Sequence, residues 1–139
     1  MKWVLIVLVL IVLAVLTAAI FIRSRPVPQS ALDFPQVTQG AGDDTRQSGF
    51  TAVRTPDDPE AAVLRLLDAA RDTPRTDIVL NEPYRFVAVT RSPVMGFPDV
   101  AHVWADGDRV IVTSSLVMGK YDFGKNQERM RGWLEAAQF

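Results

Sequence analysis

Trp3 to Ile22 reads WVLIVLVLIVLAVLTAAIFI, twenty residues without a charge in which only Thr17 is polar. As a helix the run extends about 30 Å, the thickness of a hydrocarbon core. A helix this apolar on every face needs lipid or a large protein around it, and a chain of 139 residues does not supply the second. A cleaved export signal is the competing reading. Against it, Thr17-Ala18-Ala19 is a poor cleavage site, and the apolar stretch continues through Ile20, Phe21 and Ile22, beyond the usual length of a signal core. The expectation is an uncleaved anchor over residues 1–25, with the lipid bilayer as its partner through Trp3 to Ile22.

Charge does not settle the orientation. Lys2 and the amino terminus on one side balance Arg23 and Arg25 on the other, close to a tie under the positive-inside rule. Beyond Ile22 stand sixteen acids and fourteen bases, a net charge of −2. That sign predicts no general attraction to anionic headgroups, and a near-neutral chain is not built to neutralise nucleic-acid phosphates. The chain has no Cys and a single His, His102. Disulfides, thiolate metal centres, a cysteine nucleophile and multi-histidine metal sites are thereby excluded.

From Arg23 to about Ser48 the chain carries Pro26, Pro28, Pro35, Gly40 and Gly42 among polar residues and shows neither a helical nor a strand period. Residues 26–52 are expected to form a flexible linker, able as a coil to span about 25–30 Å. Ala31, Leu32 and Phe34 are its exceptions, apolar residues suited to docking on the domain or on a partner.

Signals of a folded body begin near Val53. Thr55-Pro56-Asp57-Asp58-Pro59-Glu60 opens a helix, either through Thr55 and Asp58 as a capping pair or through Asp58 as N-cap before Pro59. Val63, Leu66, Leu67 and Ala70 then recur at helical spacing, and Thr73-Pro74 ends the pattern. Four β-rich runs follow: Thr76 to Leu80, Tyr84 to Arg91, Asp99 to Ala105 and Arg109 to Leu116. Short links such as Asp106-Gly107-Asp108 imply an antiparallel meander. A last helix, about Lys125 to Ala137, presents Met130, Trp133, Leu134 and Ala137 on one stripe. The expected body, residues 53–139, is a small two-layer α+β domain in the order α-β-β-β-β-α, its four-stranded meander flanked by two helices.

Reactive constellations are scarce. His102, Asp99 and Ser114 or Ser115 suggest a triad, but Asp99 and His102 are three apart on one strand and project to opposite faces. His102 is therefore expected to be a satisfied or half-exposed strand histidine. No G-x-S-x-G elbow is present. Asp106-Gly107-Asp108 lacks the spacing of a calcium loop and reads as a turn, Gly40-Ala41-Gly42 lacks the strand and helix of a phosphate loop, and Asp57 and Asp58 are explained by capping. No catalytic residue, metal ligand or cofactor is expected.

Two segments remain. Gly119-Lys120-Tyr121-Asp122-Phe123-Gly124-Lys125-Asn126 feeds the last helix, with Lys120, Lys125, Arg129 and Arg131 close together beside a helix N-terminus that favours anions. Its bland reading is a solvated basic face with structural capping. Val94-Met95-Gly96-Phe97-Pro98 is an apolar loop, expected to fold into the core because large apolar side chains are usually buried. An exposed docking patch is its alternative.

Thr73-Pro74-Arg75-Thr76, Thr90 to Asp99, Thr113-Ser114-Ser115 and Gly119 to Asn126 with Arg129 together resemble the bacterial family called Domain of Unknown Function 1499, over about Val53 to the C-terminus. The resemblance implies no established activity. It implies a body behind an export signal or a single anchor, here on the periplasmic side of a bacterial inner membrane. Where many members carry an arginine after the serines this chain has Leu116, Val117 and Met118, and of several acids only Asp99 remains. The expected role is a non-catalytic accessory or interaction module whose partner is another membrane or envelope protein. The alternative is a periplasmic domain that binds, or as a hydrolase acts on, a small anionic ligand. Lys120, Asp122, Lys125, Asn126, Arg129, Met95, Phe97 and Asp99 are the candidate interaction or anion-binding residues.

Overall fold

The computed structural model describes residues 1–139. Helix α1, Lys2–Ser24, has a mean hydropathy of 3.4 over its most apolar window, and its side chains stay exposed except near its end, where Ala19 is buried. At 1.5 Å per residue it is about 34 Å long. It is long and apolar enough to cross a bilayer, a property that anchors and export signals share.

The body is α+β. After a short 3₁₀ turn, Gln29–Ala31, come β1 (Gly42–Arg46), β2 (Gly49–Arg54), α2 (Pro59–Arg71), β3 (Thr76–Glu82), β4 (Arg85–Arg91), β5 (Pro98–Asp106), β6 (Arg109–Leu116) and α3 (Lys125–Ala136). The strands form one antiparallel sheet in the order β1-β2-β6-β5-β4-β3. The expected meander is present as β3 to β6, but four strands understate the sheet, which has six. The added hairpin falls partly inside the stretch expected to be a flexible linker. β1, GDDTR, is an edge strand exposed at every position, so it carries no alternation to read; its pairing partner alone makes it a strand. β2 is buried nearly throughout and pairs with β6. A Cβ at Gly49 would collide with the Ser114 carbonyl oxygen, so only glycine permits this approach of the two strands.

Asp58 is the N-cap of α2: its Oδ1 accepts from the Ala61 amide at 3.0 Å, and Pro59 takes the first helical position. The apolar stripes of α2 and α3 cover one face of the sheet, joining Leu66, Leu67, Met130 and Trp133 to Phe50, Phe86 and Val112 in the main core. Burying a side chain of this size stabilises by about 1.5–3 kcal/mol. Trp133 Nε1 donates to Thr73 Oγ1 at 2.7 Å, and Thr73 Oγ1 donates to the Ala69 carbonyl at 2.8 Å, which ties the two helices together.

The opposite sheet face is covered by the apolar residues of the expected linker, which dock on the domain, one of the two places their reading left open. Val27, Ala31, Leu32 and Phe34 pack on Val87, Val89 and Val100. Phe34 meets His102 and Trp104 edge to face, each with ring centroids 5.4 Å apart. His102 is thus buried rather than half-exposed, and its Nε2 has no hydrogen-bond partner. Burial holds its imidazole below the usual histidine range, outweighing the Leu32 and Ala31 carbonyls and the Asp33 carboxylate.

Candidate functional site

A cavity of about 690 Å³ opens at the end of the sheet where β4 ends and β5 begins. Its walls are mostly apolar carbon, and three stretches far apart in sequence form them. Thr73, Pro74 and Arg75 come from the turn after α2, Thr90 to Pro93, Phe97 and Asp99 from the end of β4, the β4–β5 connection and the start of β5, and Met118, Gly119 and Tyr121 to Phe123 from the loop before α3. The remaining motif, Thr113-Ser114-Ser115, stands behind the wall, where Ser114 Oγ donates to Asn126 Oδ1.

Each wall is held locally. Loop 92–97 closes on itself: the Ser92 amide donates to the Phe97 carbonyl at 2.9 Å, and the Phe97 amide donates to Ser92 Oγ at 3.0 Å. Arg91 Nη1 donates to the Gly96 carbonyl at 3.1 Å, and Gly96 turns the chain at φ 78°. Arg75 (φ 58°) and Phe123 (φ 54°) hold left-handed backbone, a conformation that costs non-glycine residues energy and that gathers at functional sites. Thr76 and Thr90 share a hydrogen bond of 2.8 Å between their hydroxyls.

The loop before α3 ends in a cap. Asp122 Oδ1 accepts from the Gly124 amide at 2.9 Å and Oδ2 from the Asn126 amide at 3.1 Å. The helix N-terminus that favoured an anion therefore already holds a carboxylate of its own chain. The basic cluster is also committed to partners: Lys125 Nζ lies 2.7 Å from Glu128, and Arg131 lies 3.6 Å from Asp43. Arg129 Nη2 donates to Asp99 Oδ2 at 2.8 Å and Nη1 to Asn126 Oδ1 at 3.2 Å. Of the four bases read as an anion cluster, Lys120 alone has no acid partner.

Asp99 and Arg129 are nearly closed from solvent, their side chains 13% and 14% exposed. Burial raises the Asp99 carboxyl above the usual range, helped by the Asp122 carboxylate and opposed by Arg129 and Asn126. Asp99 lies on the helix side of β5 and His102 under Phe34 on the other side, so they cannot share a proton. Ser114 faces α3 through Asn126, which leaves the imagined triad divided between two faces.

Of the candidate residues, Asp99, Phe97, Asp122, Lys125 and Arg129 line the cavity, Asn126 is buried behind it, and Lys120 sits between the lining residues Gly119 and Tyr121. Met95 does not line it. The loop expected to fold into the core does not: Val94 is 67% exposed and Phe97 37%. The end of α1 touches this loop only through Arg23, at Pro93 and Gly96, so Val94 and Phe97 remain at the surface. Sequence reasoning did not place Arg75 and Arg91 in the site. Both stood inside the quoted motifs, and the absence of any acid from Pro83 to Pro98 was the available signal.

The family model described as Protein of unknown function (DUF1499) matches residues 27–136. That is more than half of the chain, which belongs to this family. The match starts at the segment that covers the second sheet face, well before Val53. No curated protein matches the chain.

Proposed function

We propose that this DUF1499 member is a single-pass membrane-anchored binding module, with α1 in the bilayer and the cavity at the sheet end as its working site. One observation carries the reading: three of the four motif stretches, separated by up to dozens of residues, converge on one concave, largely apolar surface with arginines at its edge. Pockets of a few hundred cubic ångströms with a few convergent polar groups are where ligands bind. The polar groups here serve structure: Asp99 is tied to Arg129, Ser92 to the Phe97 amide, and Thr73 to Trp133. That arrangement supports holding a ligand over activating a nucleophile. The proposed setting is a bacterial inner membrane with the body on the periplasmic side, in keeping with the arrangement that the family resemblance implies.

The test is purification of the full chain from its native membrane in mild detergent, with mass spectrometry of the N-terminus and of everything that copurifies. The expected result is an intact first helix and a small molecule retained in the cavity. A mature chain lacking its first two dozen residues overturns the anchor. An empty chain whose melting temperature no phosphorylated, carboxylated or lipidic compound raises overturns the binding site, since a specific ligand at 100 times its Kd stabilises by about 2.7 kcal/mol. A tightly held protein in place of a small molecule makes the body an accessory subunit.

A further inference from the structure

The bases of this chain are not used evenly. Eight of the fifteen are ion-paired. Of the seven that are not, five gather at the cavity end: Arg23, Arg25, Arg75, Arg91 and Lys120. The four arginines are held by bonds to one another's backbone or to the β4–β5 connection, and Lys120 stands on the facing loop. Arg75 Nε donates to the Arg91 carbonyl at 3.2 Å, Arg91 Nη2 to the Arg25 carbonyl at 3.3 Å, and Arg23 Nη2 to the Pro93 carbonyl at 2.8 Å. The cavity end also holds the acids Asp99, Asp122 and Glu128, but these serve Arg129, the Gly124 and Asn126 amides and Lys125, whereas at the other end of the sheet Asp57, Asp58 and Glu60 line a separate surface cleft beside the β5–β6 hairpin with its Asp106 and Asp108. The net charge of −2 thus hides a domain that is basic at one end and acidic at the other.

Exposed apolar side chains follow the same division. Beyond α1, nine large apolar residues are exposed, and five of them, Val94, Phe97, Met118, Tyr121 and Phe123, stand on the two loops around the cavity mouth. Phe123 is 90% exposed. Soluble surfaces rarely gather such residues without something to cover them.

The position of α1 says what covers them. Its last turn rests on loop 92–97: Arg23 bonds to Pro93, its side chain fills the space a Cβ on Gly96 would need, and Ala19 one turn earlier is buried. When a helix about 34 Å long spans the hydrocarbon core, Arg23 lies among the headgroups, and loop 92–97 lies there with it. Apolar and aromatic side chains beside arginines are suited to that depth, the former in the acyl boundary and the latter on phosphates.

We propose that this end of the domain sits in the leaflet from which α1 emerges, and that the cavity takes an acyl chain of an anionic phospholipid whose phosphate is held by Arg75, Arg91 and Lys120. The assignment deepens the anchored-module reading and rests on it. The acidic end then faces away from the anionic surface, which orients the body.

Because the chain has no cysteine, single-cysteine labels report cleanly. Full-length protein carrying Val94→Cys, Phe123→Cys or Asp108→Cys is spin-labelled in vesicles of phosphatidylcholine with and without phosphatidylglycerol. Labels at 94 and 123 are expected to be shielded from an aqueous relaxation agent, and the label at 108 exposed. In parallel, native mass spectrometry measures the phosphatidylglycerol retained after transfer to detergent. Each base near an anionic surface is worth about 5-fold, so Arg75→Gln with Arg91→Gln is expected to lower retention about 25-fold, and Arg75→Lys with Arg91→Lys to preserve most of it. Labels at 94 and 123 as exposed as that at 108 overturn the proposal, as does equal retention by the glutamine and wild-type chains. If inorganic phosphate or a soluble phosphorylated metabolite displaces the lipid and raises the melting temperature, the lipid assignment falls and the binding module stands. If those labels are covered only in native membranes, a protein occupies the rim and the lipid assignment again falls.

Discussion

Arg129→Gln isolates the most buried ion pair of the body. The guanidinium lies 2.8 Å from the Asp99 carboxylate and also donates to Asn126, and the two charged side chains keep only 14% and 13% exposure. Removing one partner of a fully buried pair costs about 3–5 kcal/mol, mostly through the charge left behind, and the residual exposure lowers this to about 2–3 kcal/mol. For a body of this size that is a fall of about 10 °C in melting temperature, read from tryptophan fluorescence of the full chain in detergent. The pH dependence gives the mechanism. Burial already raises the Asp99 carboxyl, and the loss of Arg129 removes the main opposing influence, so the folded state of the variant binds a proton more tightly than the unfolded state. A raised acid of this kind loses stability as pH rises through its folded pKa. The deficit relative to wild type is therefore largest at neutral pH and shrinks as pH falls toward the ordinary carboxylate range. Adding Asp99→Asn is expected to recover part of the loss. A deficit below about 1 kcal/mol, or one that stays constant from neutral to mildly acid pH, refutes the view that an unpaired buried charge sets the cost.

Three further outcomes are expected. Gly49→Ala forces β2 away from the Ser114 carbonyl and is expected to cost about 1–3 kcal/mol, seen as a lower melting temperature and faster amide exchange in β2 and β6. Asp122→Ala removes a carboxylate that accepts from both Gly124 and Asn126, a loss of about 1–2 kcal/mol, with Asp122→Asn losing less; equal melting temperatures for all three chains would contradict the capping role. His102 is held neutral by burial, so its contribution is present above its unfolded pKa near 6.5 and is lost as pH falls below that value, with a slope of at most about 1.4 kcal/mol per pH unit; His102→Phe should remove that part of the acid sensitivity in a melting series.

Much of the architecture was legible because it is written in neighbouring residues. The stripe Val63, Leu66, Leu67 and Ala70 announced α2, Asp58-Pro59 its start, and Asp106-Gly107 the β5–β6 hairpin. β1 was not legible, because an edge strand of Gly, two Asp, Thr and Arg has no face to bury and becomes a strand only against β2. The covering role of Val27 to Phe34 was half legible: the apolar residues stood out, but the sheet face they cover is assembled from β3, β4, β5 and the loop after β6. Arg129 and Arg131 looked free because their acids, Asp99 and Asp43, lie far away in sequence, whereas the Glu128 that pairs with Lys125 stood three residues on.

By itself the sequence determined that a spanning-length apolar helix precedes an α+β body, since hydrophobic length and periodicity depend on residues a few positions apart. Only the tertiary structure decided which charges are neutralised, which apolar loops stay uncovered, and that both kinds of leftover meet beside the end of α1. Arg129 with Asp99, thirty residues apart, and Arg23 with Pro93, seventy apart, are contacts that chain folding creates and that no local pattern encodes.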